Sequence, residues 1–364
     1  MRILILLRDL SPNGITTYNR ILADELRRQG HEVFVWPAYG KFSHRNWRCW
    51  VLHPALSELI AQGIARLRPD VIYVNHYTQA RVAHRVHTRL GIPWFACMHN
   101  GHSDARMAQW ARLFGNAQGI VTMCESLRDK YQHLVDTATP PNAAGRKPPV
   151  LLSSLPLVSP TVPERPRPGS NAPLTLTYCS RLSGLKGPRC EAWLRAIALL
   201  PKATPYRVLV IGGGSHLNRL KQVANDLSLS AEFTGMVPST EPYLERTDVL
   251  AGAGYALMEG LVRGCVGIGL GFGGCFGAMT PDRLSAAMSV NFGDHCPHPL
   301  PDDPEQIAAA LQEAIALCNT AEARMVADRC RSTFAPQGVA KRLLQFWGDA
   351  SGDTQRLKQA SPAD

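Results

Sequence analysis

Arg181 and Lys186 stand in the run Tyr178-Cys-Ser-Arg-Leu-Ser-Gly-Leu-Lys-Gly187, a glycine-bearing loop that follows an apolar strand. Further along, Gly252-Ala-Gly-Tyr-Ala-Leu-Met-Glu259 places a carboxylate one turn into a helix behind a glycine-rich turn. Such a loop can present two cations to a diphosphate, the arginine with a bidentate geometry that a lysine lacks. The glycines bare backbone N–H groups for an anion, and the carboxylate can accept hydrogen bonds from ribose hydroxyls. In this order these are the parts of a nucleotide-sugar site.

Elements that could position them alternate along the chain. Ile3 to Leu7 reads as a buried strand; Tyr18, Ile21, Leu22 and Leu26 recur at helical spacing and stop at Gly30; His31 to Trp36 is the next strand. Leu56, Leu59, Ile60, Ile64 and Leu67 mark another helix, and Val71 to Val74, Pro93 to Met98 and Gly119 to Met123 are three further strands. Between about 138 and 173 the pattern gives way to proline-rich sequence that reads as an interdomain linker.

A second alternation begins at Leu174, with strands at Leu174 to Tyr178, Tyr206 to Ile211, Ala231 to Phe233, Asp248 to Ala251 and Val266 to Leu270. Helices fall near Glu191 to Leu200, at Leu217 to Leu227, around Glu259 and within Pro304 to Cys318. The spacing predicts an α/β architecture of two tandem doubly wound domains, 1–160 and 173–335, with ligands in the cleft outside the C-terminal ends of their strands. Val339, Leu343, Leu344 and Trp347 mark a closing helix over 336–348, followed by a polar, disordered tail over 349–364.

With 364 residues, 45% of them hydrophobic, the chain can bury two cores. Ten cysteines lie without the close pairing that a zinc or redox motif needs, and read as reduced thiols in a cytosolic protein. Ile3 to Leu7 is too short for a signal or a membrane span. Of the net charge of +10, residues 1–150 carry 19 Lys and Arg against 10 Asp and Glu, or +9, and the remainder 20 against 19, or +1. The first half is therefore expected to meet an anionic partner, unless its charge serves solubility alone.

Taken in order, the motifs resemble glycosyltransferase family 4, retaining enzymes of the GT-B fold. Asn13-Gly14-Ile15-Thr16-Thr17-Tyr18 and Gly30-His31-Glu32-Val33 are similar to that family's opening loop and second strand. Asp70 to His76, Gly91-Ile92-Pro93 and His99-Asn100-Gly101 follow in its order. In the second half the same holds for Ser180-Arg181-Leu182 with Lys186-Gly187, then Ile211 to Gly214, Phe233 to Val237 and Thr247-Asp248-Val249.

The resemblance implies a GT-B fold of two Rossmann-like domains, a donor domain in the second half and an acceptor domain in the first. It implies catalytic roles for His99, Arg181 and Lys186, and donor contacts from Gly14, Gly213, Val237, Gly252, Gly254, Tyr255 and Glu259. No metal and no cofactor beyond the donor are implied, because two cations can neutralise the departing diphosphate. Ala251 stands where the family carries the first carboxylate of its Glu-x7-Glu motif, the one expected at the donor's sugar. Backbone N–H groups of 252–255 or a different donor would answer that departure, and so would a catalytically silent binding module; a sugar-nucleotide epimerase or hydrolase shares the same architecture.

The expected partners are a nucleotide-sugar donor and a glycan or lipid-linked acceptor. Arg81, Arg85 and Arg89 recur along one helix, and Lys41, His44 and Arg45 precede Trp47-Arg48-Cys49-Trp50. Either group could lie against an anionic membrane face, which makes the expected location cytoplasmic and peripheral. No nucleic-acid reading motif is present.

Overall fold

The computed structural model describes residues 1–10, 13–39, 54–141, 145–159, 173–201, 205–298 and 303–351. The chain divides into two compact units, Met1–Pro156 with Phe334–Asp364, and Leu157–Thr333.

In the first unit, strands β1 (Arg2–Asp9), β2 (Glu32–Tyr39), β3 (Val71–Val74), β4 (Trp94–Met98), β5 (Gly119–Thr122) and β6 (Val150–Leu152) form one parallel sheet in the order β2-β1-β3-β4-β5-β6. Helices α1 (Gly14–Arg28), α2 (Pro54–Leu67), α3 (Tyr77–Leu90), α4 (Asp104–Phe114) and α5 (Glu125–Ala138) make the crossovers. Strands β3, β4 and β5 are buried along their whole length, which is why they read as unbroken apolar runs rather than alternating ones. Strand β6 lies inside the stretch read as linker; three residues are too few for a pattern to register.

Strands β7 (Leu174–Cys179), β8 (Tyr206–Ile211), β9 (Ala231–Gly235), β10 (Val249–Gly252), β11 (Val266–Gly271) and β12 (Gly274–Ala278) build the second unit's sheet, ordered β12-β11-β10-β7-β8-β9. All pair in parallel except β12, which returns antiparallel to β11 through a tight hairpin. Strand β12 is additional to the strands expected from the sequence, because its Gly-Cys-Phe-Gly-Ala carries no apolar alternation. Helices α6 (Lys186–Ala198), α7 (Leu217–Asp226), α8 (Glu241–Leu244), α9 (Gly254–Val262), α10 (Pro281–Ser289), α11 (Pro304–Leu317) and α12 (Ala321–Thr333) complete the unit.

Both units pin their central strands with the same device. Asp70, just before β3, donates its N–H to the Arg2 carbonyl at 2.8 Å and accepts the Arg2 N–H on its carboxylate at 2.7 Å. Asp248, just before β10, does the same to Thr175 at 3.0 and 2.8 Å. A side chain that closes a ring across two strands fixes their register, on which the aim of every residue at the strand ends depends.

The last helix, α13 (Pro336–Ser351), belongs to the first unit, packs against α1 and runs past the expected end at 348. Trp347 is wholly buried, its ring 5.2 Å from that of Tyr73 and 6.3 Å from that of Phe95. Residues 352–364, the rest of the expected tail, lie outside the described residues.

Candidate functional site

In the second unit the loop after β7 is held by the loop after β8. Leu182 donates its N–H to the Gly213 carbonyl at 2.9 Å, and His216 donates to the Leu182 carbonyl at 3.0 Å. Contact this close requires bare glycine: φ is +132° at Gly212 and +153° at Gly214, and a side chain at either would overlap the carbonyl oxygens of Ser180 and Leu182. The loop thereby presents Arg181, which is exposed and whose guanidinium makes no hydrogen bond or ion pair with any described residue.

Lys186 opens α6, five residues after Arg181, and is better anchored. The buried Tyr178 hydroxyl donates to the Lys186 carbonyl at 3.0 Å, tying the helix start to the sheet. The ammonium lies 3.1 Å from Asp294 Oδ1 and 4.5 Å above the Phe272 ring at the β11–β12 turn. Arg189, on the next turn of α6, is buried and donates to the Gly271 and Phe272 carbonyls at 3.1 and 3.2 Å. The helix start, the hairpin turn and Asp294 thus form one assembly at the C-terminal edge of the sheet, where ligands of such sheets bind.

Gly252 ends β10 and Gly254 begins α9 at a φ of +56°, with no side-chain cap on the helix. Tyr255 and Glu259 are half-buried on its first two turns, and Glu259 Oε2 accepts the Thr240 hydroxyl at 2.8 Å. Gly213 and Val237 follow the ends of β8 and β9, on the same edge. Ala251 differs from these: it is fully buried within the unit's apolar cluster, paired with Tyr178 on one side and Ile268 on the other.

In the first unit, Gly14 starts α1 behind Asn13, whose side chain caps the helix by accepting the Ile15 and Thr16 N–H groups at 2.9 and 3.1 Å. His99 follows β4 and is half-buried. Its Nε2 lies 2.7 Å from Asn75 Oδ1, which also accepts Asn19 Nδ2 at 3.0 Å. Asn19 Nδ2 in turn donates to the Ile15 carbonyl at 2.8 Å, which fixes both amide orientations and makes His99 Nε2 the protonated nitrogen. Burial pulls the His99 pKa down to about 3, so the ring is neutral at physiological pH and Nδ1 carries an acceptor lone pair.

On α3, Arg81 is exposed, Arg85 half-exposed, and Arg89 is ion-paired to Glu58 on α2. Lys41, His44, Arg45 and the Trp47 to Trp50 stretch lie outside the described residues. No described helix is long and apolar enough to cross a membrane. Asp294, Phe272 and Arg189 are not among the residues the sequence singles out, and Tyr178 enters there only as the end of a strand.

Residues 12–140 match the model of Glycosyltransferase Family 4. The fold is similar to that of a glycosyltransferase from Rickettsia africae, at 15% identity and a TM-score of 0.68 over 96% of this chain and 98% of that one. Anabaena Alr3699/HepE in complex with UDP and glucose aligns at 14% identity and a TM-score of 0.69, covering 96% of this chain and all of the other. Sucrose-phosphate synthase from Thermosynechococcus elongatus aligns at 15% identity and 0.67, over 96% and 98%. No curated protein matches the chain by sequence. The architecture is the GT-B fold, and the resemblance to family 4 stands.

Proposed function

We propose that this chain, a glycosyltransferase of the GT-B type, moves a sugar with retention of configuration from a nucleotide diphosphate to a hydroxyl of a cell-surface glycan or glycolipid. The single observation that carries the donor half of this reading is the unpaired Arg181 beside Lys186 on a glycine-locked loop. A guanidinium without a partner among the described residues is available to charge that builds on a departing diphosphate. Arg181 and Lys186 together take the place of a metal, so the reaction is metal-independent. The start of α9, which has no side-chain cap, and the Glu259 carboxylate take the rest of the nucleotide, with Gly213 and Val237 lining the same edge.

The first unit takes the acceptor, and its excess of basic residues suits a phosphorylated or membrane-borne one. The location that fits this reading is the cytoplasm, at the inner face of a membrane. His99 serves as a neutral hydrogen-bonding group through Nδ1, not as a proton donor. Retention by attack on the face the diphosphate leaves needs no protein nucleophile, and the protein's work is then to place the acceptor and stabilise the leaving group.

Thermal unfolding with UDP, GDP, ADP and their common sugar conjugates, with and without Mg²⁺, tests the reading on the wild type and on Arg181→Ala. One base should raise Tm by several degrees whether or not metal is present, and the variant should lose the shift along with about a hundredfold in kcat/KM. No shift with any nucleotide, or full turnover by the variant, would remove this assignment.

A further inference from the structure

Asp294 is held in place at a conformational cost. It follows Asn291, Phe292 and Gly293, with φ of +52°, +58° and +99°, and a left-handed run through two non-glycine residues is strained backbone. Phe292, 1% exposed, anchors that run in the core. The Asp294 carboxylate accepts the Phe272 N–H at 3.1 Å on Oδ1 and lies 3.1 and 3.2 Å from the Lys186 ammonium on its two oxygens. A side chain on Gly254, the first residue of α9, would begin 3.3 Å from Oδ2. The carboxylate therefore sits between the starts of α6 and α9, at the ends of β7, β10 and β11.

A carboxylate has about four acceptor positions. One backbone N–H and one ammonium leave part of Oδ2 unused, and the Asp294 carboxylate has no further hydrogen-bond donor among the described residues. A diphosphate drawn to Lys186 and Arg181 would be repelled by this charge, so the part of a ligand that faces Asp294 must carry hydrogen-bond donors. On a nucleotide sugar those are the hydroxyls of the sugar. The buried methyl of Ala251 supplies no such acceptor, and Glu259 Oε2 is already engaged by Thr240.

We infer that Asp294 is the specificity-determining acceptor for hydroxyl groups of the sugar on the nucleotide donor. The inference rests on the nucleotide-sugar reading above.

Calorimetric titration of wild type and Asp294→Asn with UDP, GDP and ADP, beside UDP-glucose, GDP-mannose and ADP-glucose, separates the two ideas. Asparagine still accepts from Phe272, and the variant should bind the bare diphosphate as the wild type does or more tightly. Turnover of the matching conjugate should fall by about tenfold to a hundredfold, and preference between sugar epimers should narrow. Equal losses for diphosphate and conjugate, or no loss for either, would overturn the inference. Should the variant fail to fold, monodeoxy donors on the wild type decide: at least one should lose about tenfold in turnover, and undiminished turnover of all of them would overturn it. If no bare diphosphate binds the wild type, the nucleotide-sugar reading falls and this role falls with it. If one binds but the sugar effects are absent, Asp294 alone is removed.

Discussion

The carbonyl oxygen of Ser180 occupies the space that a side chain at Gly212 would need. Through this contact the turn after β8 fixes the loop that carries Arg181, so a glycine distant in sequence sets where that loop lies. Gly212→Ala should cost about 3 kcal/mol or more, since strain at φ +132° adds to a backbone overlap. Gly30→Ala is the control: φ is +83° there but nothing lies within 4 Å, and only the left-handed penalty of about 1 kcal/mol is expected. Urea unfolding of both variants measures the difference, and equal costs would show that the loop contact is not restrictive.

Ala251→Glu would place a carboxylate inside an apolar cluster. The expected cost at neutral pH is several kcal/mol, and no activity should be gained. Burial raises the pKa of such a group above its unfolded value, so the variant should recover stability as pH falls and lose it as pH rises through the raised value. Unfolding midpoints of variant and wild type at pH 5 and pH 8 check this; a variant as stable as wild type at pH 8 would show that position 251 can reach solvent.

With a folded pKa of about 3 against an ordinary value of 6.5, His99 is neutral in the fold but takes up a proton below pH 6.5 once unfolded. Its contribution to stability is therefore full above pH 6.5 and declines as pH falls toward 3. The slope it adds is on the order of 1 kcal/mol per pH unit. His31, His84 and His102 are also shifted down by burial and act in the same direction. The measurement is thus the difference between wild type and His99→Gln in Tm from pH 7.5 to 5, which should shrink with acid. Parallel profiles would mean that His99 titrates normally.

Much of both sheets can be read from the sequence because a parallel strand buried on both faces is a continuous apolar word. Val71 to Val74 is found to the residue for that reason, and Tyr206 to Ile211 through its buried run Val208 to Ile211. Strands β6 and β12 escape it, the first by its length and the second by its glycines. Arg181 and Lys186 are legible because a strand end and local glycines announce them. Asp294 is not, since its partner Lys186 lies 108 residues away and its backbone adopts positive φ at an asparagine and a phenylalanine, which no local composition signals. Likewise the sequence offers His99 as a candidate, yet its protonation follows only from the Asn19–Asn75 pair, two side chains 56 residues apart.

The return of α13 to the first unit gives synthesis an unusual order. As the chain leaves the ribosome, the sheet of Met1–Pro156 emerges first but waits for Trp347 to cover Tyr73 and Phe95, while Leu157–Thr333 emerges entire in the interval. The unit made first is therefore the one finished last. A gene fragment encoding the second unit alone is continuous, whereas the first can be had whole only by splicing two distant coding stretches together.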